Sequence, residues 1–398
     1  MKVLFLNAYF YPETIAFSHL EKDLIQDLVA EGARLDVLCP IPCRGVSPAI
    51  AQTYRLKREE RLYNGKVRVH RFWAPWEKKN PIIRAFRYFW CNLRQYQLGK
   101  KYQPDVIFAV STPPTQGWLA GKLARKKQCA FVYSLQDIFP DSLVTTGLTK
   151  RDSLLWKLGR KIEDATYKSA DTILVISESM KRNIMDKGVP EDKICVVSNW
   201  IDTERILPVA KEDNRLFGEF GIDREAFTVV YAGNFGAAQG AQVVLEAAEY
   251  LPDVQFVIFG GGAGFEDAKK RAERLPNVII NGLLPQERVP EVYSLGDVAL
   301  ITCKKGVGVS GMPSKTWSIM ACNTPIIAAF DTDSELSEII SRANAGICVE
   351  PESAEALAEG ILQARASMEK YNGGRMYVCN HASKTVCVEK YIQVLQQR

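Results

Sequence analysis

The feature that most constrains this chain is an alternation, run through twice, of short continuous apolar segments and longer segments of helical period. VLFLNAY (3–9) is apolar nearly throughout and suits a strand covered on both faces. SHLEKDLIQDLVAEG (18–32) spaces Leu20, Leu24, Ile25, Leu28 and Val29 at a period of 3.6 and closes on Gly32. RLDVLCP (34–40) then completes a βαβ unit, and further strands are expected at 67–72, 105–110, 130–136, 172–177 and 194–199, with helices between most of them. After a polar stretch (203–225) a second series follows, with strands expected at 227–234, 254–262, 277–284, 298–303, 325–330 and 346–350.

This pattern predicts an α/β chain of two doubly wound, Rossmann-like domains, residues 1–200 and 201–375. A closing helix in 376–398 is expected to pack back toward the first domain. Ligands of such sheets bind beyond strand C-termini, so a site is expected in a cleft between the halves. With 398 residues, 47% hydrophobic and 24% charged, there is material for real cores, which excludes disorder and a disulfide-stapled miniprotein. No run approaches the ~18 apolar residues of a membrane span, and Met1 leads straight into a strand-like segment, so a cytosolic protein is expected. The ten cysteines are scattered, and Cys39 and Cys43 lack a second pair that would complete a zinc site. With only three histidines, no metal and no cofactor are expected.

Charge is unevenly placed. Residues 1–200 hold 32 Lys and Arg against 20 Asp and Glu, whereas the rest holds 19 against 26. Residues 71–103 alone carry Arg71, Lys78, Lys79, Arg84, Arg87, Arg94, Lys100 and Lys101 against Glu77.

Three segments of the second half are candidates for chemistry. YAGNFGAAQG (231–240) sets Gly233, Gly236 and Gly240 between a strand and a helix. Backbone amides there can approach a phosphate, or the glycines make an ordinary tight turn. FGGGAG (259–264) admits close ligand approach or close helix packing. KKGVGVSGMPSK (304–315) precedes a helix that Ser314 could cap. Free amides there, with Lys304, Lys305 and Lys315, would hold a diphosphate, or the segment is a glycine loop with solvated lysines. The first βα turn, Asn7 to Pro12, has no glycine, which disfavours a nicotinamide fingerprint.

Taken together, MKVLFLNAYFYPE, YAGNFGAAQG, FGGGAG, NVIINGLLPQERVPEVYSLGDVALI, GMPSKTWSIMACNTPIIA and VEKYIQVL resemble the retaining glycosyltransferases of family 4, of the GT-B fold. The P-S-K element is similar to that of the N-acetyl-L-fucosaminyl transferase branch of bacterial O-antigen, colanic acid and capsule assembly. The resemblance implies transfer from a UDP-sugar, of the N-acetyl amino sugar class, with retention and without a metal. It implies that Gly233, Asn234 and Gly240 lie by the diphosphate or sugar and that Gly260 and Gly282 to Leu284 lie by the nucleoside. Gly311, Met312, Pro313, Ser314 and Lys315 would line the phosphates. The acceptor side would be the first domain, at Tyr11 to Ile15 and around Asp137.

Two departures bear on the chemistry. The family's pair of glutamates eight residues apart would fall at Ser310 and Ser318, so neither carboxylate is present, and the resemblance implies that Ser318 would meet the ribose hydroxyls through a weaker hydrogen bond. The usual basic residue after the first strand of the second domain is the neutral Gln239, so Lys304, Lys305 or Lys315 must balance the phosphates. Asp137 in SLQDIFPD is the candidate acceptor-orienting carboxylate or base, with a helix cap as the other reading. Glu13 has the same standing, and His19 is expected to be structural or solvent-facing.

FWAPWEKKNPIIRAFRYFWCNLRQYQLGKKY (72–102) interleaves nine aromatics with the basic run. Asn80-Pro81 starts a helix with Ile82, Phe86, Phe89, Trp90 and Leu93 on one face and Arg84, Arg87 and Arg94 elsewhere. The pattern suits an interfacial helix on anionic lipid, or one packed in its own domain with an arginine-rich exposed face. No recognised nucleic-acid module is present, and a nucleic-acid partner is not expected. With the resemblance, the expected acceptor is a polyprenyl-diphosphate-linked saccharide, and the expected location is the cytoplasmic face of the cell membrane. Competing readings are an isomerase of the UDP-N-acetylglucosamine 2-epimerase type and a silent UDP-sugar-binding partner.

Overall fold

The computed structural model describes residues 1–13, 17–77, 80–145, 149–308 and 312–397, without the side chains of His19, Pro81, Ile82 and Thr145. It divides into two compact units, one of residues 1–198 with 387–398, the other of residues 199–386.

The first unit is built on β1 (Lys2–Leu6), β2 (Arg34–Pro40), β3 (Glu59–Leu62), β4 (Val67–Phe72), β5 (Val106–Val110), β6 (Ala130–Leu135), β7 (Thr172–Val175) and β8 (Ile194–Val196). The strands lie in the order β3-β4-β2-β1-β5-β6-β7-β8. All neighbouring pairs are parallel except β3 with β4, which are antiparallel at the edge. The edge strand EERL carries three charges and no apolar run, which is why the sequence pattern passes over it. Central β5 is buried at every residue, as a strand covered on both faces must be.

Helix Gln116–Lys127 lies between two others. Gly117 and Gly121 face Thr166 and Ser169 of Leu154–Ser169 so closely that a Cβ would collide, and Leu123 fills the space at Gly99 of Pro81–Gly99. The last helix, Lys384–Gln396, returns to this unit. Its Tyr391 ring packs 6.2 Å from those of Phe17 and Phe108, and its hydroxyl is 3.2 Å from that of Ser134.

The second unit holds β9 (Thr228–Asn234), β10 (Gln255–Gly261), β11 (Val278–Gly282), β12 (Val298–Thr302), β13 (Ile326–Ala329) and β14 (Gly346–Val349). Their order is β11-β10-β9-β12-β13-β14, all parallel. Apolar layers cover both faces, one around Trp317, Ile319, Met320 and Leu336, the other around Val244, Leu245, Leu357 and Ile361. Three helices follow β14, rather than the two the sequence pattern suggests. Arg375 ties the polar stretch after residue 200 to this core by donating to the carbonyls of Thr203 (3.0 Å), Ile206 (3.1 Å) and Ala321.

In both sheets the strand order reverses beside the first strand of the series, between β1 and β5 and between β9 and β12. These switch points are where doubly wound sheets open a crevice at strand C-termini.

Candidate functional site

At the β9/β12 switch point the three glycine-bearing segments meet. The strand register sets Gly233 of β9 opposite Gly260 of β10, and Gly260 opposite Gly282 of β11. Three adjacent strands therefore end at one level in residues without side chains, leaving a floor that a ligand can approach to backbone distance. A Cβ at Gly262, whose φ is +97°, would occupy the place of Asn234 Oδ1, which locks the second segment against the first. Gly240, with φ of +56°, brings the turn after β9 onto the Cys303 carbonyl, where a Cβ would meet that oxygen at 3.2 Å, and the Lys304 amide donates to Ala238 at 3.0 Å.

Over this floor stands Lys315. Its Nζ lies where a Gly233 Cβ would contact it at 2.6 Å, and 4.4 Å from the centre of the Tyr231 ring. Among the described residues Lys315 makes no ion pair, and burial pulls its ammonium down to about 8. A desolvated cation with no counter-ion among the described residues, over a glycine floor at a switch point, has the chemistry to hold an anion. Replacing Gly233 by valine fills that position. The expected result is an affinity for a diphosphate such as pyrophosphate lower by about tenfold or more by calorimetry, one lost hydrogen bond to a charged group being worth that much. The unfolding midpoint should fall only modestly, because the closest atom is the terminal nitrogen of Lys315, with the Tyr231 hydroxyl next at 3.2 Å.

The other lysines are placed differently. Lys304 is exposed, and Lys305 is exposed with its Nζ 3.7 Å from Glu350. The loop they sit on is held by buried Asp331, whose carboxylate accepts from the amides of Gly306 (2.8 Å) and Gly308 (2.7 Å). Asp331 escapes sequence reasoning, although an aspartate just past an apolar strand, in IIAAFD, is the available signal. Ser314 precedes helix Lys315–Ala321 but is itself helical (φ −59°, ψ −28°) and makes no side-chain cap, contrary to expectation. Met312 packs against the core, Pro313 accepts from the Thr316 amide at 3.0 Å, and Ser318 and Leu284 are half-buried. Gln239 turns its Oε1 to the place a Gly236 Cβ would take. Ser310 and Gly311 lie outside the described residues, as do Thr14, Ile15 and Ala16.

In the first unit the Glu13 carboxylate faces backbone amides of two loops. It is buried, Oε1 accepts from the amides of Cys43 and Arg44 (both 2.9 Å), and Oε2 faces the Phe10 amide at 3.3 Å. Burial pushes this carboxyl above the usual range, and the three amides pull against it. Asp137 stands exposed past the end of β6, its carboxylate meeting Ser142 and the Ile138 amide at the start of helix Asp141–Thr145. Tyr11 is exposed, and its carbonyl accepts from Arg71 at 2.6 Å.

The β1/β5 switch point holds a different carboxyl. A cavity of about 40 Å³ is lined by Asn7, Ser18, Glu21, Thr112 and Gln136 among others. Glu21 is buried, accepts from the side-chain Nδ2 of Asn7 at 2.6 Å and is pushed up to about 8 by burial. Its spacing to Leu24, Ile25 and Leu28 puts a carboxylate on the apolar face of its helix, a legible signal that the sequence reading passed over.

The aromatic helix is turned about from the expectation for its arginines. Arg87 is buried and donates to the Pro75 carbonyl, and Arg71 is buried against Glu60 (3.5 Å) and the Tyr54 ring. Arg84 lies 3.5 Å from Glu77, which also takes the Tyr9 hydroxyl at 2.7 Å. The face turned outward carries Phe86 and Phe89, 56% and 59% exposed, with Trp90 half-buried and its indole nitrogen on the Trp73 carbonyl at 3.0 Å.

Comparison with known proteins accounts for this architecture. Residues 22–205 match the model "Glycosyltransferase Family 4" and residues 212–373 the model "Glycosyl transferases group 1". The chain is a family 4 glycosyltransferase of the GT-B fold. This glycosyltransferase is 27% identical over 384 residues to the putative colanic acid biosynthesis glycosyl transferase WcaI of Escherichia coli K12, covering 92% of each chain. It shares its fold with sucrose-phosphate synthase of Thermosynechococcus elongatus (TM-score 0.75, 15% identity, 100% and 98% of the two chains). Anabaena HepE in complex with UDP is another neighbour (TM-score 0.71, 15% identity, all of both chains).

Proposed function

We propose that this glycosyltransferase moves a sugar of the N-acetyl amino sugar class from a UDP-sugar, with retention and without a metal, to a polyprenyl-diphosphate-linked saccharide. The product would be a bacterial surface polysaccharide, assembled at the inner face of the cell membrane. The observation that carries the reading is the unpaired ammonium of Lys315 above the row Gly233, Gly260 and Gly282. The UDP complex of HepE supports the donor class, and the naming of WcaI for colanic acid supports the product class. No helix among the described residues is long and apolar enough to cross a membrane, so reaching a lipid-linked acceptor calls for docking from one side.

In this reading the bond from the donor's anomeric carbon to the β-phosphate oxygen breaks while the acceptor oxygen bonds to that carbon on the face the leaving group vacates. The acceptor's proton passes to a phosphate oxygen. Lys315 balances the charge that grows on the departing UDP, aimed before the reaction begins and so without reorganisation. The glycine floor lets backbone amides reach the diphosphate. Asp137 orients the acceptor at the end of β6, and Asn7 and Glu21 line the cavity beside it.

The test is incubation of the protein with a panel of UDP-sugars, including UDP-N-acetyl amino sugars, and short-chain polyprenyl-diphosphate saccharides, in excess chelator, followed by mass spectrometry. UDP release with a mass-shifted lipid establishes the reading. Donor binding without release or rearrangement across the panel would leave a silent binding partner, and a free rearranged sugar nucleotide an epimerase.

A further inference from the structure

Helix Leu154–Ser169 exposes three leucines in its first turns: Leu154 at 86%, Leu155 at 53% and Leu158 at 56%. Its start is fixed, because Ser153 Oγ accepts the Trp156 amide at 3.2 Å and lies 2.7 Å from the Thr149 hydroxyl. The leucines are thus held on an ordered first turn. At 100° per residue they span an arc of about 100°, with Leu155 at the margin of the buried face of Gly159, Glu163, Thr166 and Tyr167, and with exposed Lys157 and Lys161 on the shoulder beyond Leu154. Lys150 and Arg151 are exposed just before it, beside one acid, Asp152, while Arg160 is bound to Glu163 and Asp164.

The contacts of the central helix Gln116–Lys127 fix where this patch stands. Thr166 lies against Gly117, which puts Leu158 about 12 Å and Leu154 about 18 Å up the axis from that level at 1.5 Å per residue. On the other side Asn92 Nδ2 bonds Thr115 Oγ1 at 2.5 Å, which puts Phe86 about 9 Å above Thr115, whose own level is about 3 Å above Gly117. Leu158 and Phe86 therefore reach the same height beyond the central helix, at the strand C-terminal end of the sheet. The two helices divide the chemistry: among the described residues the aromatic end has its arginines occupied by Glu77 and Pro75, and the leucine end carries four exposed cations.

We infer that the first turns of helix Leu154–Ser169 are a second membrane anchor, so that the first unit docks on anionic lipid at two points, with the aromatic helix supplying interfacial rings and this helix supplying leucines and charge. The inference rests on the proposed lipid-linked acceptor. Its occupant is an anionic bilayer because apolar side chains shouldered by unpaired lysines at a common height match a surface that is apolar below and negative above. Two points also fix the orientation of the sheet's C-terminal edge to the membrane, which one helix alone cannot do.

The test is flotation of the full chain with vesicles of phosphatidylcholine alone and of phosphatidylcholine with phosphatidylglycerol, for the parent, L154S/L155S/L158S and F86S/F89S, with UDP binding as the control for folding. The expected result is flotation of the parent on anionic vesicles, a partition coefficient on the order of tenfold lower for the leucine variant, and unchanged UDP affinity. A second pair, K157E/K161E, should lose only the part of binding that salt also removes. Unchanged flotation of the leucine variant beside loss in the aromatic one overturns the second anchor and leaves the lipid reading in place. Failure of the parent to float overturns both. A parent that sediments as a dimer and becomes monomeric on L154S/L155S/L158S would assign the patch to a second copy of this chain instead.

Discussion

Lys315→Met is expected to lower kcat by about 100- to 1,000-fold while raising thermal stability at pH 7, the first figure being typical for loss of one preorganised donor at a developing anion. The two effects have one cause. The ammonium sits over the Tyr231 ring and Gly233 with no ion-pair partner among the described residues, so the fold holds a charge whose desolvation an incoming diphosphate would offset. Its value of about 8, against 10.5 for a free lysine, means that the folded state disfavours the proton. The destabilisation is full below about pH 8, shrinks as the pH rises from there toward 10.5, and is gone above it, so the stability gained by methionine must shrink over the same window. Donor affinity carries the same titration with the opposite consequence. The charged form binds the diphosphate, so UDP-sugar affinity should be flat up to about pH 8 and then fall by up to about tenfold per unit, a slope absent from the variant. UDP release kinetics and calorimetric unfolding across pH 7 to 9 measure both. A variant that loses stability together with activity would show Lys315 to be a packing residue and not the phosphate's partner.

The sequence made the sheets legible because parallel strands covered on both faces have a pattern that little else produces. Strands β9 to β14 all fall on expected segments, and what escaped was the charged edge strand Glu59–Leu62, whose pairing depends on β4 and not on its own composition. The glycines were visible one by one, but their alignment was not, since the offset that sets Gly233, Gly260 and Gly282 at one level is a property of three strand registers. Lys315 could not be separated from Lys304 and Lys305 by spacing. Only the packing shows that one is folded over the floor while Lys305 leans on Glu350. In the aromatic helix the period was sound and the inference from charge was not. Arg87 carries a full cation into the interior because the Pro75 carbonyl receives it, a partner twelve residues back along a loop that no periodicity reveals.

Glu13 gives the sharpest separation of a structural from a chemical carboxylate. Three amides, of Phe10, Cys43 and Arg44, converge on it from two loops. Removing it in Glu13→Ala strands two buried donors and a third, part-buried one at once, and the expected loss is about 3 kcal/mol of unfolding free energy by urea titration, the scale of breaking a buried charged network. Glu13→Gln should recover only part of this, because its NH2 group must face one amide hydrogen with another. Below its unfolding midpoint the folded fraction of either variant should keep turnover within a few-fold of the parent, as no reacting group is lost. The opposite pattern, unchanged stability with turnover down by orders of magnitude, would make Glu13 the base that its place after the first strand suggests. The distinction matters for the site as a whole: if Glu13 holds the loops, the carboxyls left to meet an acceptor are Asp137, open at the end of β6, and Glu21, enclosed with Asn7 at the switch point.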